Sequence, residues 1–472
     1  MRLIALELSD AGIMAAAKEP LGLLQLDGED RESPGFALPD ETQLLVGRKA
    51  ERRARLHPLQ VNNAFWDQLD TEPLKQASQY ARNHAEMAYA HLAHIWEKIR
   101  GRGNEMVMAV PAFFARDQLG LILGITEALS IPLKGMVSLS VATASKPYPD
   151  RVLLHLDIHL HRSEVTFLDQ GERLAQKDVV TAKKKGLRHL YSEWVKAIAE
   201  AFVRTTRFDP LHEASTEQEL YDRLPVVMAG LEQNPSVLFE MVVGSKSYRV
   251  NLSRELFVAK AQGVFQEIVE MIELMRKRHG KPGQPVTLQL THRMAPLPGC
   301  KEMLATLDGA QERGLEPGAG AFGALNLWQE FSSPEVGVTL LTSRPWQSRE
   351  APAMTDHLSV TPISHGDTSP THVLYRTVAY PLSDRPLVIG TGGTQEGVDV
   401  RIEGELAGVS RRHCSIQRRG EQTILTDHST YGTFVEGEQV TGTALLRLGQ
   451  VIRVGTTVEE LQLITSLETD EK

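Results

Sequence analysis

The chain reads Val409-Ser410-Arg411-Arg412-His413 and, one run of β-forming residues later, Asp427-His428-Ser429-Thr430-Tyr431-Gly432-Thr433-Phe434-Val435-Glu436-Gly437. Both stretches are polar loops between β-type runs, and the second closes on glycine. Further β-type runs, separated by turn residues, extend over residues 372–467, where no helical pattern is present. Short strands at this spacing are typical of a β-sandwich, in which loops at one end carry the binding residues.

These loops resemble those of the forkhead-associated (FHA) domain, a β-sandwich that binds phosphothreonine peptides. The Ser-x-x-His motif of that family corresponds to Ser410 and His413, and residues 448–455 follow its closing segment. The resemblance implies a loop surface that contacts the partner and a set of residues that supports the loops. The implied partner-binding residues are Ser410, Arg411, Arg412, Thr430 and Tyr431, and the implied loop supports are His413 and Gly432.

Two positions depart from the FHA pattern. Thr391 stands where the family has a phosphate-binding arginine, and Tyr431 stands where it has an asparagine that grips the peptide backbone. A hydrogen bond to a charged group contributes about 1.5–3 kcal/mol, so the missing guanidinium weakens phosphate binding unless Arg401, Arg411 or Arg412 compensates. Two alternatives stay open: a re-tuned phosphopeptide binder, or a protein-binding sandwich that needs no phosphate.

Residues 1–343 mix strands and helices in an order that indicates an α/β domain. No fixed-period repeat is visible. The apolar patterns predict strands at residues 2–8, 21–27, 43–47, 106–110, 136–139 and 286–290, a β-hairpin or two successive strands over 151–168, and helices over 73–100, 115–129, 186–206 and 253–278.

Several colinear segments of this region resemble the nucleotide-binding domain of the heat-shock-70 chaperones, which has the actin-like ATPase fold. The resemblance implies a fold that holds ATP with two phosphate hairpins and catalytic carboxylate and lysine side chains. The matching segments are Leu44-Leu45-Val46-Gly47-Arg48-Lys49-Ala50, Val107-Met108-Ala109-Val110-Pro111-Ala112-Phe113-Phe114, Leu252-Ser253-Arg254-Glu255-Leu256-Phe257 and residues 286–299.

The residues that would handle nucleotide are replaced. A phosphate hairpin needs glycines so that its backbone can approach the phosphates, but the two hairpins read Glu7-Leu8-Ser9-Asp10-Ala11 and Asp157-Ile158-His159-Leu160-His161-Arg162. The family's catalytic lysine falls near Trp66, its catalytic glutamate near Leu139, and its adenosine-loop glycines near Thr291 and His292. We therefore expect a pseudo-ATPase without a cofactor, with weak ATP or ADP binding as the alternative. Its degenerate cleft is predicted to contain Glu7, Ser9, Asp157, His159, His161 and His292.

One strand also carries a metal-like pattern. His155, Asp157, His159 and His161 alternate and so share one face. Imidazole and carboxylate groups bind zinc, but same-face neighbours lie about 6.5–7 Å apart, so four in a row cannot converge on one ion. We predict no metal site and interpret these side chains as lining a solvated remnant of the cleft.

The composition excludes several classes of function. A net charge of −9 does not favour nucleic acid binding. Two cysteines, Cys300 and Cys414, are too few for a disulfide framework or a cysteine-based zinc site. The N-terminus turns polar early and no run of about eighteen apolar residues occurs, which predicts no signal peptide and no membrane insertion. We expect a cytoplasmic protein whose partner is another protein, with the oligomeric state left open.

The domain order follows from these patterns. A Pro-, Ser- and Thr-rich stretch predicts a linker over residues 344–371. It separates an N-terminal domain, 1–343, from the FHA-like sandwich, 372–467, which a tail at 468–472 follows. The leading interpretation is a non-catalytic adaptor or scaffold. The alternatives are a nucleotide-dependent, chaperone-like ATPase switch coupled to FHA binding, and a filament or scaffold subunit of the actin-like type.

Overall fold

The chain is described by a computed structural model, and its contacts form two compact units, residues 1–351 and 352–472. No helix among the described residues combines the length and apolarity that a membrane span requires. The structure describes residues 2–331, 338–346, 370–375, 378–392, 397–402, 408–419, 422–435, 438–440, 442–448, 450–455 and 460–464.

The N-terminal unit is built mainly on two large sheets. Its strands are β1 (Leu3–Glu7), β2 (Ile13–Lys18), β3 (Leu21–Leu23), β4 (Glu32–Ser33), β5 (Ala37–Pro39), β6 (Leu44–Val46), β7 (Glu105–Val110), β8 (Leu133–Ser138), β9 (Val152–Ile158), β10 (Arg162–Gln170), β11 (Arg173–Lys183), β12 (Ser236–Val243), β13 (Lys246–Ser253), β14 (Val286–Leu290), β15 (Ala310–Gly314), β16 (Thr339–Leu341) and β17 (Ser343–Pro345).

The helices of this unit cover the sheets. Two short 3₁₀ turns, Arg100–Arg102 and Trp328–Phe331, accompany them. The α-helices are α1 (Arg48–Glu51), α2 (His84–Ile99), α3 (Arg116–Ala128), α4 (Leu139–Thr143), α5 (Leu187–Thr206), α6 (Ala214–Gln233), α7 (Arg254–His279), α8 (Cys300–Leu304) and α9 (Ala319–Asn326).

The two large sheets share one strand topology. In the first, β3, β2 and β1 are antiparallel neighbours, and β7, β8 and β16 continue from β1 in parallel. In the second, β11, β10 and β9 are antiparallel neighbours, and β14 and β15 continue from β9 in parallel. We call the residues around these sheets the first half and the second half of the unit. Each half therefore begins with a hairpin, β1–β2 or β9–β10.

Three apolar clusters form the core of this unit. One packs α2 and α3 on the first sheet, and another packs α5, α6 and α7 on the second. In the third, α4 and α9 lie with residues of both sheets, such as Val107 and Leu153. Burying this much apolar surface is the main stabilising term for a fold of this size. The hairpin turns of the two halves meet directly, because the Leu160 amide donates to the Asp10 carboxylate at 2.7 Å.

Most strands and helices predicted from the apolar patterns are present, but three predictions were wrong or incomplete, and other elements were not predicted at all. The helix predicted over 73–100 begins only at His84, because the Asn83 side chain accepts a hydrogen bond from the Glu86 amide and caps the first turn. The strand predicted at 21–27 is limited to β3, whereas the alanine-rich β2 before it was missed. The strand predicted at 136–139 ends at Ser138, where α4 begins. Residues 207–252, for which no element was predicted, form α6, β12 and β13.

The predicted linker starts later than residue 344. Arg344 and Pro345 lie in β17, which pairs with the edge strand β11, and the Trp346 indole N–H donates to the Gly171 carbonyl at 3.0 Å. These residues therefore belong to the N-terminal unit. Residues 347–369 of the predicted linker and the tail at 468–472 lie outside the described residues.

The C-terminal unit consists of two sheets that enclose one apolar core, as its alternating β-type runs predict. The core contains Val373, Ile389, Ile416, Leu425 and Ile452. One sheet has the order β19-β18-β28-β27-β24-β25 and the other β21-β20-β22-β23-β26. The strands are β18 (His372–Tyr375), β19 (Val378–Pro381), β20 (Leu387–Gly390), β21 (Val400–Arg401), β22 (Cys414–Arg419), β23 (Gln422–Asp427), β24 (Thr433–Val435), β25 (Glu438–Gln439), β26 (Thr443–Leu446), β27 (Val451–Val454) and β28 (Glu460–Ile464).

Candidate functional site

The loops after β20 and before β22 are fixed to each other by their backbones. The Thr391 amide donates to the Ser410 carbonyl at 3.2 Å, and the Gly392 amide donates to the Arg411 carbonyl at 3.0 Å. Gly390 lies so close to this segment that a Cβ there would collide with the Arg411 carbonyl oxygen. A side chain at residue 390 would therefore separate the two loops.

His413 connects these loops to the β23–β24 loop from below. Its side chain is fully buried, and its Nδ1 accepts a hydrogen bond from the Ser410 amide at 3.0 Å. The other ring nitrogen, Nε2, must then carry the proton, and it lies 3.0 Å from the Gly432 carbonyl oxygen, to which it donates. Burial lowers the pKa of His413, which favours this neutral form.

The β23–β24 loop is shaped by its own hydroxyl groups. The Ser429 Oγ accepts from the Gly432 amide at 2.7 Å, and the Asp427 carboxylate accepts from the Thr433 hydroxyl at 2.7 Å and from the Ser429 amide at 3.1 Å. Gly432 adopts a positive φ of 88°, and a Cβ at this position would meet the Gln439 side chain. The loop thus needs glycine at 432.

The predicted partner-binding residues come together above this framework. The Thr430 amide donates weakly to the Ser410 Oγ at 3.4 Å, which brings the two loops side by side. Arg411, Arg412 and Thr430 are exposed, and Tyr431 has 63% of its surface exposed. The loop surface, defined here as Ser410, Arg411, Arg412, Thr430 and Tyr431, therefore presents hydroxyl, guanidinium and phenol groups to solvent.

Arg401 also lies close to this surface. In the parallel pairing of β20 with β21, Arg401 is opposite Gly390, so it neighbours Thr391. Its side chain is exposed. A cationic side chain is therefore available beside the position where the FHA pattern has arginine and this chain has threonine.

The cleft residues of the N-terminal unit have the opposite character, because they are buried and bonded to one another. The Glu7 carboxylate accepts from the Gly320 amide at 2.8 Å, and Ser9 Oγ lies 3.2 Å from His159 Nδ1. The Leu160 amide donates to the Asp10 carboxylate at 2.7 Å, which joins the two hairpin turns. Direct side-chain contacts of this kind fill the space between the halves.

Arg293 is the central cation of this cluster. Its Nη1 donates to Glu7 at 3.2 Å, its Nε to Glu32 at 2.9 Å, and its Nη2 to the Gly12 carbonyl at 2.7 Å. Burial by itself lowers the pKa of Arg293, but the carboxylates of Glu32, Glu7 and Asp157 outweigh it and raise the pKa. Burial by itself would raise the pKa of Glu32, but its contacts with Arg293 and His292 lower the pKa to about 2. Both groups are therefore charged at neutral pH.

His155, Asp157 and His159 are completely buried, so the prediction that they line a solvated remnant of the cleft was wrong. Burial lowers the pKa of His155 to about 4. Asp157 accepts from the Thr291 hydroxyl at 2.7 Å, and its second oxygen lies 3.6 Å from His159 Nε2. These residues face the packed interior because the β9–β10 hairpin is covered by the first half. Among the described residues, no group of three or more His, Cys, Asp or Glu side chains is arranged to hold a metal ion.

The remaining predicted cleft residues lie at the margin of this cluster. His161 contacts the Asn63 carbonyl oxygen at 2.8 Å, and His292 Nε2 lies 3.8 Å from Glu32. Trp66 is buried and donates its indole N–H to His91 at 3.0 Å, while Leu139 is buried in the cluster between the sheets. Two surface cavities of this unit, of about 480 and 320 Å³, lie beside Gly171 and Phe208, and no residue named for the cleft lines them.

Sequence reasoning missed the roles of Arg293, Glu32 and Asp10. Arg293 directly follows two predicted cleft positions, but its partners Glu7 and Glu32 are 286 and 261 residues away, and no local pattern marks such a pairing. The structural role of Ser429 was also missed. It could have been recognised, because Asp427 and Ser429 before a glycine form a turn signature in which hydroxyl and carboxylate groups bond nearby amides.

A comparison with known protein families identifies the C-terminal loops. The sequence model of the FHA domain matches residues 387–455. A search among curated proteins found none similar to the chain. The matched residues include β20 to β27 and the whole loop surface. Residues 387–455 of this multidomain protein are therefore an FHA domain, a module that binds other proteins.

Proposed function

We propose that this chain is a non-catalytic cytoplasmic adaptor whose FHA domain binds a protein partner through the loop surface. One observation supports the proposal most directly. The buried His413, through its hydrogen bonds to Ser410 and Gly432, fixes the backbones of the two loops that form the loop surface. Polar groups that project into solvent from rigid loops are typical of recognition sites.

A threonine-phosphorylated peptide is the ligand chemistry that we propose first. The hydroxyl groups of Ser410 and Thr430 offer donors, and Arg411 and Arg412 offer positive charge. Arg401, beside Thr391, is the best placed substitute for the missing guanidinium. Arginine binds phosphate through paired N–H donors. The alternative is a partner that binds the same surface without phosphate, since Thr391 and Tyr431 replace two residues of the FHA pattern.

We further propose that the N-terminal unit is a degenerate relative of the actin-like nucleotide-binding fold and does not turn over ATP. Two observations support this. The two large sheets have the same strand topology, as a duplicated fold would have. The turns that would have to approach phosphate carry buried side chains instead, such as Ser9, His159 and Leu160. A nucleotide-dependent switch would need backbone amides free to bind phosphate at these turns.

Co-precipitation from lysate of cells that express the protein tests the adaptor proposal. The full-length chain is used as bait, with one half of the lysate treated with phosphatase. We expect wild-type protein to retain a partner that the double variant Ser410→Ala/Arg411→Ala does not retain. If phosphatase treatment also removes the partner, the ligand is a phosphopeptide.

The matched control is the double variant Ser383→Ala/Arg447→Ala. Both residues are exposed and lie near the opposite end of the same sheet, where Thr423 pairs with Leu446 and the Arg418 amide donates to Ser383. This variant should retain the partner. Equal retention by both double variants would show that the partner uses another surface.

A further inference from the structure

Arg293 lies where the two halves of the N-terminal unit meet. It follows β14 of the second half, and the Thr291 amide ties this segment to Leu156 of β9 at 3.1 Å. All three of its hydrogen-bond partners belong to the first half: Glu7 ends β1, Gly12 precedes β2, and Glu32 is in β4, which pairs with β2. One side chain thus connects three segments across the cleft.

The three contacts use three different guanidinium nitrogens, so the side chain is held in a single orientation. Arg293 is only 8% exposed and Glu7 only 2%, whereas the Glu32 side chain is 31% exposed. In such a setting, the loss of one partner leaves a buried charge without compensation, which is strongly destabilising. Arg293 therefore holds the segment after β14 of the second half against the two carboxylates of the first half.

Other bonds across the cleft depend on the same closed arrangement. The Leu160 amide of the second half donates to Asp10 of the first half at 2.7 Å. Arg162 of β10 pairs with Asp67 at 2.6 Å. The Leu160 bond lies at the hairpin turns, so its amide reports directly on whether the halves are in contact there.

We propose that Arg293 is a built-in ligand: its guanidinium occupies the cleft as a bound cation would, and it keeps the two halves of the N-terminal unit closed without any added molecule. The unit then has one resting shape, set by a covalently attached side chain. This inference does not depend on partner binding by the FHA domain. It also gives a physical reason why an anionic ligand such as a nucleotide would find the cleft already filled.

The test is hydrogen exchange of the full-length Arg293→Ala variant. Without the guanidinium, its three hydrogen bonds between the halves are lost, Glu7 and Glu32 of the first half repel Asp157 of the second half, and the halves separate more often. We expect exchange of the Leu160 amide to accelerate about tenfold or more, and Tm to fall by roughly 5–10 °C. Guanidinium chloride, at a concentration too low to denature, should slow the exchange again in the variant, whereas sodium chloride of equal ionic strength should not.

Arg151→Ala is the matched control. The Arg151 guanidinium also makes three hydrogen bonds, to Thr287, Val286 and Gly309, but all of them lie within the second half. Its loss should leave exchange of the Leu160 amide close to the wild-type rate. Glu32→Gln is a milder variant that removes one charge at a partly exposed position. It should accelerate exchange of the Leu160 amide by a smaller factor, and it serves as the test if Arg293→Ala does not fold.

Three results would overturn the proposal. One is that the Leu160 amide exchanges at the wild-type rate in every folded variant of Arg293 and Glu32. Another is accelerated exchange in Arg293→Ala that guanidinium does not reduce, because the side chain would then act by packing and not as a cation. The third is equal acceleration in Arg151→Ala, because the loss of any buried arginine would then have the same effect.

Discussion

The loop surface of the FHA domain and the cleft of the N-terminal unit use the same residue types at the ends of β-strands, yet they differ in the exposure of their charged groups. Arg411 and Arg412 are exposed, whereas Arg293 is buried among carboxylates. His413 supports a surface that faces water, whereas His159 is enclosed by groups from both halves. Serine, histidine and arginine therefore indicate recognition only where buried hydrogen bonds fix the loop backbone and the outer side chains are exposed to solvent.

The largest effect that sharpens this comparison is expected at His413. Its replacement by alanine leaves the Ser410 amide and the Gly432 carbonyl without their partner, and each unmet buried group costs about 1–3 kcal/mol. We predict a loss of about 2–4 kcal/mol in the free energy of unfolding of the C-terminal unit, measured by denaturant titration. His428→Ala, at an exposed histidine that contacts Ser415, should cost below about 1 kcal/mol. Equal losses would mean that His413 is not the support of the loops.

A gain of binding is expected when the missing guanidinium is restored. Thr391→Arg should strengthen binding of phosphothreonine peptides by about 1.5–3 kcal/mol, because a charged hydrogen bond to phosphate is added next to Ser410. Isothermal titration with a peptide pool would measure it. The effect should shrink for peptides with unmodified threonine. No gain would indicate that Arg401 already fills this role or that the ligand carries no phosphate at this position.

Acid should weaken both units through buried histidines, and the N-terminal unit through Glu32 as well. Burial keeps the pKa of His413 below its usual 6.5 and lowers the pKa of His155 to about 4, so the unfolded chain binds protons first and both units lose stability as the pH falls through about 6.5. The Glu32 carboxylate has a pKa lowered from 4.5 to about 2, so its contribution to the N-terminal unit is lost only as the pH falls from about 4.5 towards 2. Thermal melts monitored for each unit should show the first loss in both units and the second in the N-terminal unit. A C-terminal unit whose Tm is constant from pH 7 to pH 5 would contradict the role of His413.

The smallest effect is expected for nucleotide, which should leave the Tm of the N-terminal unit unchanged. A ligand at 100 times its Kd would stabilise the unit by about 2.7 kcal/mol, so even weak ATP binding would raise Tm at high concentration. We expect no shift with ATP and magnesium and no phosphate release above a buffer blank. Turnover that Asp157→Ala abolishes would show that the cleft still works as an ATPase.

The sequence predicted those parts of the fold in which one local pattern dominates. The buried strand β7 has a continuous apolar run, β14 alternates apolar and polar residues, and the long amphipathic helices α5 and α7 have apolar stripes. Helix α6 was missed because Pro225 lies inside it, and proline ordinarily ends a helical pattern. The matching topology of the two sheets was also invisible, since it resides in strand pairing and not in a repeated sequence.

The candidate sites were predictable to different degrees for a similar reason. The loop surface is formed by residues close in sequence, so the motif around Ser410 and the loop at Thr430 were sufficient to find it. The cleft is formed by residues from distant segments, and the pairing of Arg293 with Glu7 and Glu32 depends on the meeting of the two halves. Whether a histidine such as His159 faces water or the interior is decided by that meeting as well.

The most direct test of the central claim measures binding of degenerate peptide pools to the full-length chain by fluorescence anisotropy. The pools carry either phosphothreonine or threonine at a fixed central position. We predict that the phosphothreonine pool binds wild-type protein and the Ser383→Ala/Arg447→Ala control equally. Ser410→Ala/Arg411→Ala should bind at least about tenfold more weakly, with Tm unchanged. Binding that survives Ser410→Ala/Arg411→Ala intact would contradict the claim that the loop surface is the recognition site.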